Sequence, residues 1–332
     1  MKNFAVVLPI FNDWTSFQGV LSQLDRIAGD KRIQMSVFAV NDGSTIAMPD
    51  SLAKMDSWRN LAAIEAIDLV CNMGHQRAIA VGLCEVMSRS SFDAVIVMDA
   101  DGEDDPKDIP ALLDVLEKNP GKAVLAHRAT RSEGSVFKVA YQAYKLLFRL
   151  LTGYKISFGN YCVLPQSIGK RLTFNSNLWN SLPATVLLSR SPYVTAPTHR
   201  AKRLDGKSQM NFVALIVFGL DAITVFSDAA MVRLGLMIGG LIVAGAAVVS
   251  LIRLTTDIFL LGWTSLMLMF LFIIGIQVLF LLLNTSMLIL RNRSLMQMVP
   301  AIQYKVFIQR IVKAIRTAQS VDVKAPVLDA VR

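Results

Sequence analysis

The chain has 332 residues, 53% of them hydrophobic, with a mean hydropathy of +0.47 and a formal net charge of +9. That apolar share is high for a wholly water-soluble protein, and three cysteines (Cys71, Cys84, Cys162) without paired or CxxC spacing argue against a disulfide- or zinc-stapled scaffold. The basicity comes with no groove-reading motif, so nucleic acid is not the expected partner.

From the N-terminus to about residue 130, short apolar segments alternate with helical ones. FAVVLPI reads as a strand and not as a signal peptide, because no small-residue cleavage site follows it. A helix near Ser16 to Ala28 comes next, then the strands MSVFAV and LAAIEAI, a helix near Gln76 to Ser88, and the strand DAVIVMD. This rhythm predicts an α/β fold, a mostly parallel sheet with helices on both faces. Ligands of such sheets bind beyond the carboxyl ends of the strands. Three of those ends carry polar residues of interest: Pro9 to Asp13, Asn41 to Ser44, and Asp99 to Glu103.

The third end is the most unusual, because VIVMDADGEDDP crowds Asp99, Asp101, Glu103, Asp104 and Asp105 together. Like charges so close raise one another's pKa unless a cation or backbone donors neutralise them. Asp99, Asp101 and Glu103 alternate along what reads as an extended strand end, so one face would offer oxygens to a hard cation such as Mg²⁺ or Mn²⁺. Asp105 reads instead as an N-cap, with Pro106 at N1 and Asp108 at N3. In CNMGHQRAIAVGL, His75 stands near a helix start and reads as structural. No Ser or Cys nucleophile with a base is evident.

Further on, a helix is predicted from Val136 to Leu151, followed by the turn-like SFGNYCVLP. The basic residues Arg128, Arg131, Arg200, Lys202, Arg203 and Lys207 precede an apolar stretch, Asn211 to Ala230, that Asp221 and Asp228 interrupt. It reads as a helix lying in a membrane interface. Leu234 to Ile252 and Ile258 to Leu290 hold no charge, and each is long enough to cross a bilayer. The second is longer than one span needs, which predicts tilt or an extra turn near Gln277 to Asn284. Gly235 and Gly239 form a GxxxG that could be a packing face. The tail, Arg291 to Arg332, is basic, with an amphipathic helix expected after Pro300. Its charge predicts that both termini face the cytoplasm. The expected domains are 1–210 cytosolic, 211–232 juxtamembrane, 233–290 two transmembrane helices, and 291–332 a basic cytosolic tail.

Taken together, VVLPIFND, VNDGST, NMGHQRAIAVGL, VIVMDADGEDDP, SFGNYCVLP and RLDGKS resemble the family 2 glycosyltransferases of the GT-A type. Within them the chain is similar to polyprenyl-phosphate glycosyltransferases akin to dolichol-phosphate mannose synthase, over about residues 4 to 230. The resemblance implies a GT-A, Rossmann-like fold and inverting transfer of a sugar from a UDP- or GDP-sugar to a polyprenyl phosphate on the cytoplasmic face of the inner membrane. It implies that Pro9, Phe11, Asp13, Val40, Asp42, Asp99, Ala100 and Asp101 hold the donor, with Mg²⁺ or Mn²⁺ on Asp99, Asp101 and Glu103. Arg128, Arg131, Arg200, Arg203 and Lys207 would meet phosphate; Asp101, Asp104, Arg128 and Arg203 are the catalytic candidates. An assembly of several copies stays open.

The sequence departs from the family pattern at three positions. Asn41 replaces the first Asp of DDGS, Glu103 replaces a Gln, and Gln209 replaces the Lys of GxSK. Two other readings compete. A processive polysaccharide synthase would carry QxxRW, which this sequence lacks, and a catalytically silent scaffold would not need Asp42, Asp99 and Asp101.

Overall fold

The computed structural model describes residues 2–49, 52, 58–89, 91–128, 135–155, 158–205, 219–255, 262–294 and 298–314. The chain divides into two compact units. One comprises 1–134, 157–225 and 298–332, and the other 135–156 and 226–297.

The first unit is built on an eight-stranded mixed sheet in the order β7-β5-β6-β4-β1-β2-β3-β8. In chain order its strands are β1 (Asn3–Ile10), β2 (Gln34–Asn41), β3 (Ala63–Leu69), β4 (Ala94–Val97), β5 (Ala123–Arg128), β6 (Phe158–Pro165), β7 (Tyr193–Thr198) and β8 (Ile308–Lys313). Strands β4, β1, β2 and β3 run parallel to one another. Strand β4, and β1 after Asn3, are apolar without alternation, as expected of strands covered on both faces; Ala5, Val6, Val7 and Leu8 are wholly buried. Helix α1 (Trp14–Lys31) buries Trp14, Phe17, Val20, Leu21, Leu24 and Ile27, a three-and-four spacing that puts one stripe on the sheet. Helices α2 (His75–Arg89) and α3 (Ile109–Lys118) add to the layers, and α5 (Gln166–Thr173) and α6 (Leu182–Leu188) follow β6. Because β2 and β3 extend the sheet on one side of β1 and β4 returns on the other, strand order reverses between β1 and β4. A crevice opens at such a reversal, beyond the carboxyl ends.

Two sequence expectations fail here. SFGNYCVLP is not a turn: most of it is β6, which pairs antiparallel with β4 and β5, since Tyr161, Cys162, Val163 and Leu164 are all buried. The helix expected after Pro300 is only the short turn Pro300–Gln303 with a 3-10 turn, Tyr304–Phe307, and the chain then becomes β8. Ile308, Ile311 and Val312 are β-branched, and the edge of β3 supplies unpaired backbone groups for them to meet. Arg310 pairs with Asp68 and Lys313 with Glu65, so these two basic side chains of the tail meet acids on the neighbouring strand.

The second unit holds α4 (Ser135–Thr152) and two long apolar helices, Ser227–Thr255 and Trp263–Ser294. Both are long and apolar enough to cross a membrane. The second runs through Gln277 to Asn284 without interruption. Gly235 lies against Leu282 of the other apolar helix, whereas Gly239 faces open space, so the GxxxG is not one continuous packing face. Of the expected interfacial segment, 211–218 lie outside the described residues and 219–224 are helical.

Candidate active site

Where β1 ends, Asn12 takes a left-handed backbone (φ 55) and turns the chain into α1, leaving Asp13 at the mouth of the crevice. Beyond β4, residues 99–104 do not continue the strand. Gly102 has φ +81, a region that L side chains avoid, and Asp101 Oδ1 accepts from the Glu103 N–H at 2.9 Å. The acidic stretch is therefore a tight turn, and its three candidate metal ligands do not line one face as an extended strand would make them.

A strap that follows β7 covers this turn. Ala201 N donates to Glu103 O at 3.1 Å and Leu204 N to Asp101 O at 3.0 Å, with a bridge between Asp104 and Arg200. The strap brings two guanidinium groups onto the acids. Arg203 Nη1 donates to Asp101 Oδ2 at 3.1 Å while its Nη2 binds Asp13 Oδ2, and Arg200 Nη2 meets Glu103 Oε2 at 2.5 Å. Even so, burial and then the neighbouring charge of Asp99 push the Asp101 carboxyl up to about 6. Asp104 is 3% exposed and accepts the Asp99 N–H at 3.1 Å, so it shapes the turn from beneath. Asp105 caps the following turn through Lys107 N, as its position before Pro106 predicts. Asp108 departs from the capping role, since its carboxylate binds His199 N at 2.8 Å and anchors the strap.

His75, read as structural from sequence, belongs to the site. Its Nε2 lies 3.2 Å from Asp99 Oδ1 and 3.0 Å from Asn160 Nδ2. Burial penalises the charged ring, yet the carboxylates of Asp99, Asp104 and Asp101 outweigh it and hold His75 above the usual histidine range. Asn160 lies in SFGNYCVLP, whose sequence reads as a turn and so carries no signal of a site residue. Its Oδ1 accepts from Gln76 Nε2 at 2.9 Å, so β6 and the first turn of α2 orient the imidazole together.

The remaining sequence candidates are placed as follows. Asp42 is 4% exposed and accepts the Met73 and Gly74 N–H groups at 2.7 and 3.0 Å, which fixes the loop entering α2. Burial raises its pKa against those two amides. The side chains of Pro9, Val40 and Ala100 are buried, so a ligand would reach only their main chain, whereas Phe11 is exposed. Arg128 ends β5, in register with Thr198. Arg131, Lys207 and Gln209 lie outside the described residues.

Among the described residues, no three His, Cys, Asp or Glu side chains form a ready cation cage. Asp99 and Asp101 nevertheless offer carboxylate oxygens of the kind a hard cation takes, with Arg203 holding one oxygen of Asp101. Glu103 is engaged in the same way, Arg200 taking one of its oxygens.

The chain thus combines a mixed α/β sheet, with acids beyond its strand-order reversal, and two helices long and apolar enough to cross a membrane. Residues 5–177 match the model of glycosyl transferase family 2, and the chain belongs to that family. It is a glycosyltransferase. It is 25% identical over 295 residues to the uncharacterized glycosyltransferase YkcC of Bacillus subtilis (strain 168), covering 84% of this chain and 86% of that protein. It is 26% identical over 289 residues to the uncharacterized glycosyltransferase sll0501 of Synechocystis sp., covering 82% and 86%. Among solved structures it is similar to glucosyl-3-phosphoglycerate synthase from Mycobacterium tuberculosis in complex with Mn²⁺ and UDP-glucose, at 16% identity and a TM-score of 0.46, covering 69% of this chain and 79% of that one.

Proposed function

We propose that this glycosyltransferase moves a sugar, with inversion, from a nucleotide-sugar to the phosphate of a polyprenyl lipid at the cytoplasmic face of the inner membrane. The observation that carries the reading is Arg203 lying on Asp13 and Asp101. A guanidinium beside the carboxylates of the crevice, in a chain that also carries two helices long and apolar enough to cross a membrane, supports phosphate handling near a bilayer.

Asp99 and Asp101 would hold Mg²⁺ or Mn²⁺, which when bound neutralises a nucleoside diphosphate as it leaves. The protein's own part is positioning. His75 and Asn160 orient Asp99, Asp104 sets the turn, and the main chain at Pro9, Val40 and Ala100, with the exposed ring of Phe11, borders the donor. Arg203, once a diphosphate offers it oxygens, meets them with a planar fork. Arg128, Arg131, Arg200 and Lys207 are assigned to the acceptor phosphate. A phosphate monoester is already ionised at neutral pH, so its oxygen attacks with little help from a base; alignment and charge neutralisation remain as the work of catalysis. A processive polymer synthase is less favoured, because two such helices among the described residues are few for a polymer channel.

The test is to incubate the full chain in detergent with Mg²⁺ or Mn²⁺, polyprenyl phosphate and a panel of radiolabelled UDP- and GDP-sugars. A labelled lipid with one donor is expected. Nucleotide binding without labelled lipid for any donor would overturn the acceptor assignment.

A further inference from the structure

A chain of hydrogen bonds runs from the tail strand to the loop that carries Asp13. Arg310 Nε donates to Asp68 Oδ2 at 2.6 Å, and Asp68 Oδ1 accepts from Asn41 Nδ2 at 2.8 Å. Asn41 Oδ1 accepts from the Ser44 N–H at 3.0 Å, and Ser44 Oγ accepts from the Asn12 N–H at 2.9 Å. Asn12 Oδ1 closes the set by accepting from the Thr45 and Ile46 N–H groups at 2.9 and 3.0 Å. The next residue is Asp13, which binds Arg203. A cavity of about 540 Å³, lined by Asn41, Ser44, Asp68 and Arg310 among others, follows the same path beyond the ends of β2 and β3.

This network accounts for the departure at position 41. The side chain there must donate to a carboxylate and accept from a backbone N–H at once, which an amide does and a carboxylate does not. Aspartate in its place would set two carboxylates at hydrogen-bond distance, Asp68 being only 8% exposed. The amide at 41 and the acid at 68 are therefore one unit, and Arg310 completes its charge from a strand that lies beyond both apolar helices.

We propose that Asn41, Asp68 and Arg310 are positioning residues for the donor. They fix the Asn12–Asp13 and Ser44–Ile46 loops, so that the tail strand is a working part of the donor site. The proposal rests on the nucleotide-sugar reading above.

The experiment compares the full-length chain with Asn41→Asp, Asn41→Asp/Asp68→Asn and Arg310→Gln. Amide hydrogen exchange is followed across 11–14 and 43–47, and UDP and GDP affinity and donor KM and kcat are measured, with thermal unfolding as a control for folding. Asn41→Asp speeds exchange in both loops and raises the donor KM about tenfold with kcat nearly unchanged, the size of one lost charge-assisted hydrogen bond. Adding Asp68→Asn exchanges the amide and the acid and restores both readouts. Arg310→Gln acts in the same direction, about threefold, because that guanidinium is largely exposed. A folded Asn41→Asp with wild-type exchange and KM, or a double variant that rescues neither, overturns the proposal. Wild-type protein that binds neither UDP nor GDP overturns the donor reading instead, and the exchange rates then decide the network on their own.

Discussion

Arg203 binds the Asp13 carboxylate across 190 positions of sequence, and the same guanidinium reaches Asp101. Three chain segments thus meet at one planar cation: the end of β1, the turn after β4 and the strap after β7. Arg203→Ala is expected to lower kcat about 100-fold, the scale of one lost electrostatic donor at a developing charge. Arg203→Lys keeps the charge without the fork and should fall between the two. Steady-state transfer assays decide; equal loss in both variants would mean that charge contributes nothing at this position.

Asp101→Ala should abolish transfer and leave membrane insertion intact, since the side chain lies in the crevice and outside both apolar helices. Carbonate extraction of membranes followed by a transfer assay separates the two effects. Unchanged turnover would remove Asp101 from the metal site.

The pH dependence of stability carries a definite sign. The Asp101 carboxyl is raised from 3.8 to about 6, so the folded state holds a proton that the unfolded state releases between those values. Stability of metal-free protein therefore falls as pH rises from 3.8 to about 6, by on the order of 3 kcal/mol, and levels off above that window. Urea unfolding in chelator across this range should show the slope in wild type and a flatter one in Asp101→Asn.

Gly43 has φ +67, and a Cβ there would stand 2.5 Å from the backbone nitrogen of Asn72. Gly43→Ala should destabilise by at least about 2 kcal/mol, through left-handed strain and a clash with main chain that has nowhere to move. A lowered midpoint in denaturant checks it; a wild-type midpoint would mean that this turn can open at little cost.

Tyr304 is 2% exposed, in the segment that returns the tail to the sheet. Nearby, Trp179 Nε1 donates to Met298 O at 2.8 Å and its ring meets Phe307 edge-on. Truncation by Tyr304→Ala should cost about 3 kcal/mol, in the usual range for emptying a buried aromatic site. It should also speed amide exchange along β8. Wild-type protection of Ile311 and Val312 would show that the tail strand holds without this anchor.

Local pattern was enough to read the parallel core. Unbroken apolar runs fix β1, β2 and β4, three-and-four spacing fixes α1, and long uncharged stretches mark both membrane-length helices, because each signal comes from neighbouring residues obeying one period. The strand end after β4 was legible too, since five carboxylates in so short a stretch need an explanation wherever they lie.

What the sequence by itself determined is thus the list of chemical groups and the strand ends that carry them. Tertiary structure alone decided which groups meet. His75 reaches Asp99 only because α2 starts beside that turn, Asn160 joins it only because β6 pairs with β4, and Arg310 reaches Asp68 only because an open sheet edge draws the tail into a strand. Hydrophobic period is a property of adjacent residues. Hydrogen bonds and ion pairs between residues many positions apart depend on which strand lies beside which, and that follows from burying the whole sheet at once.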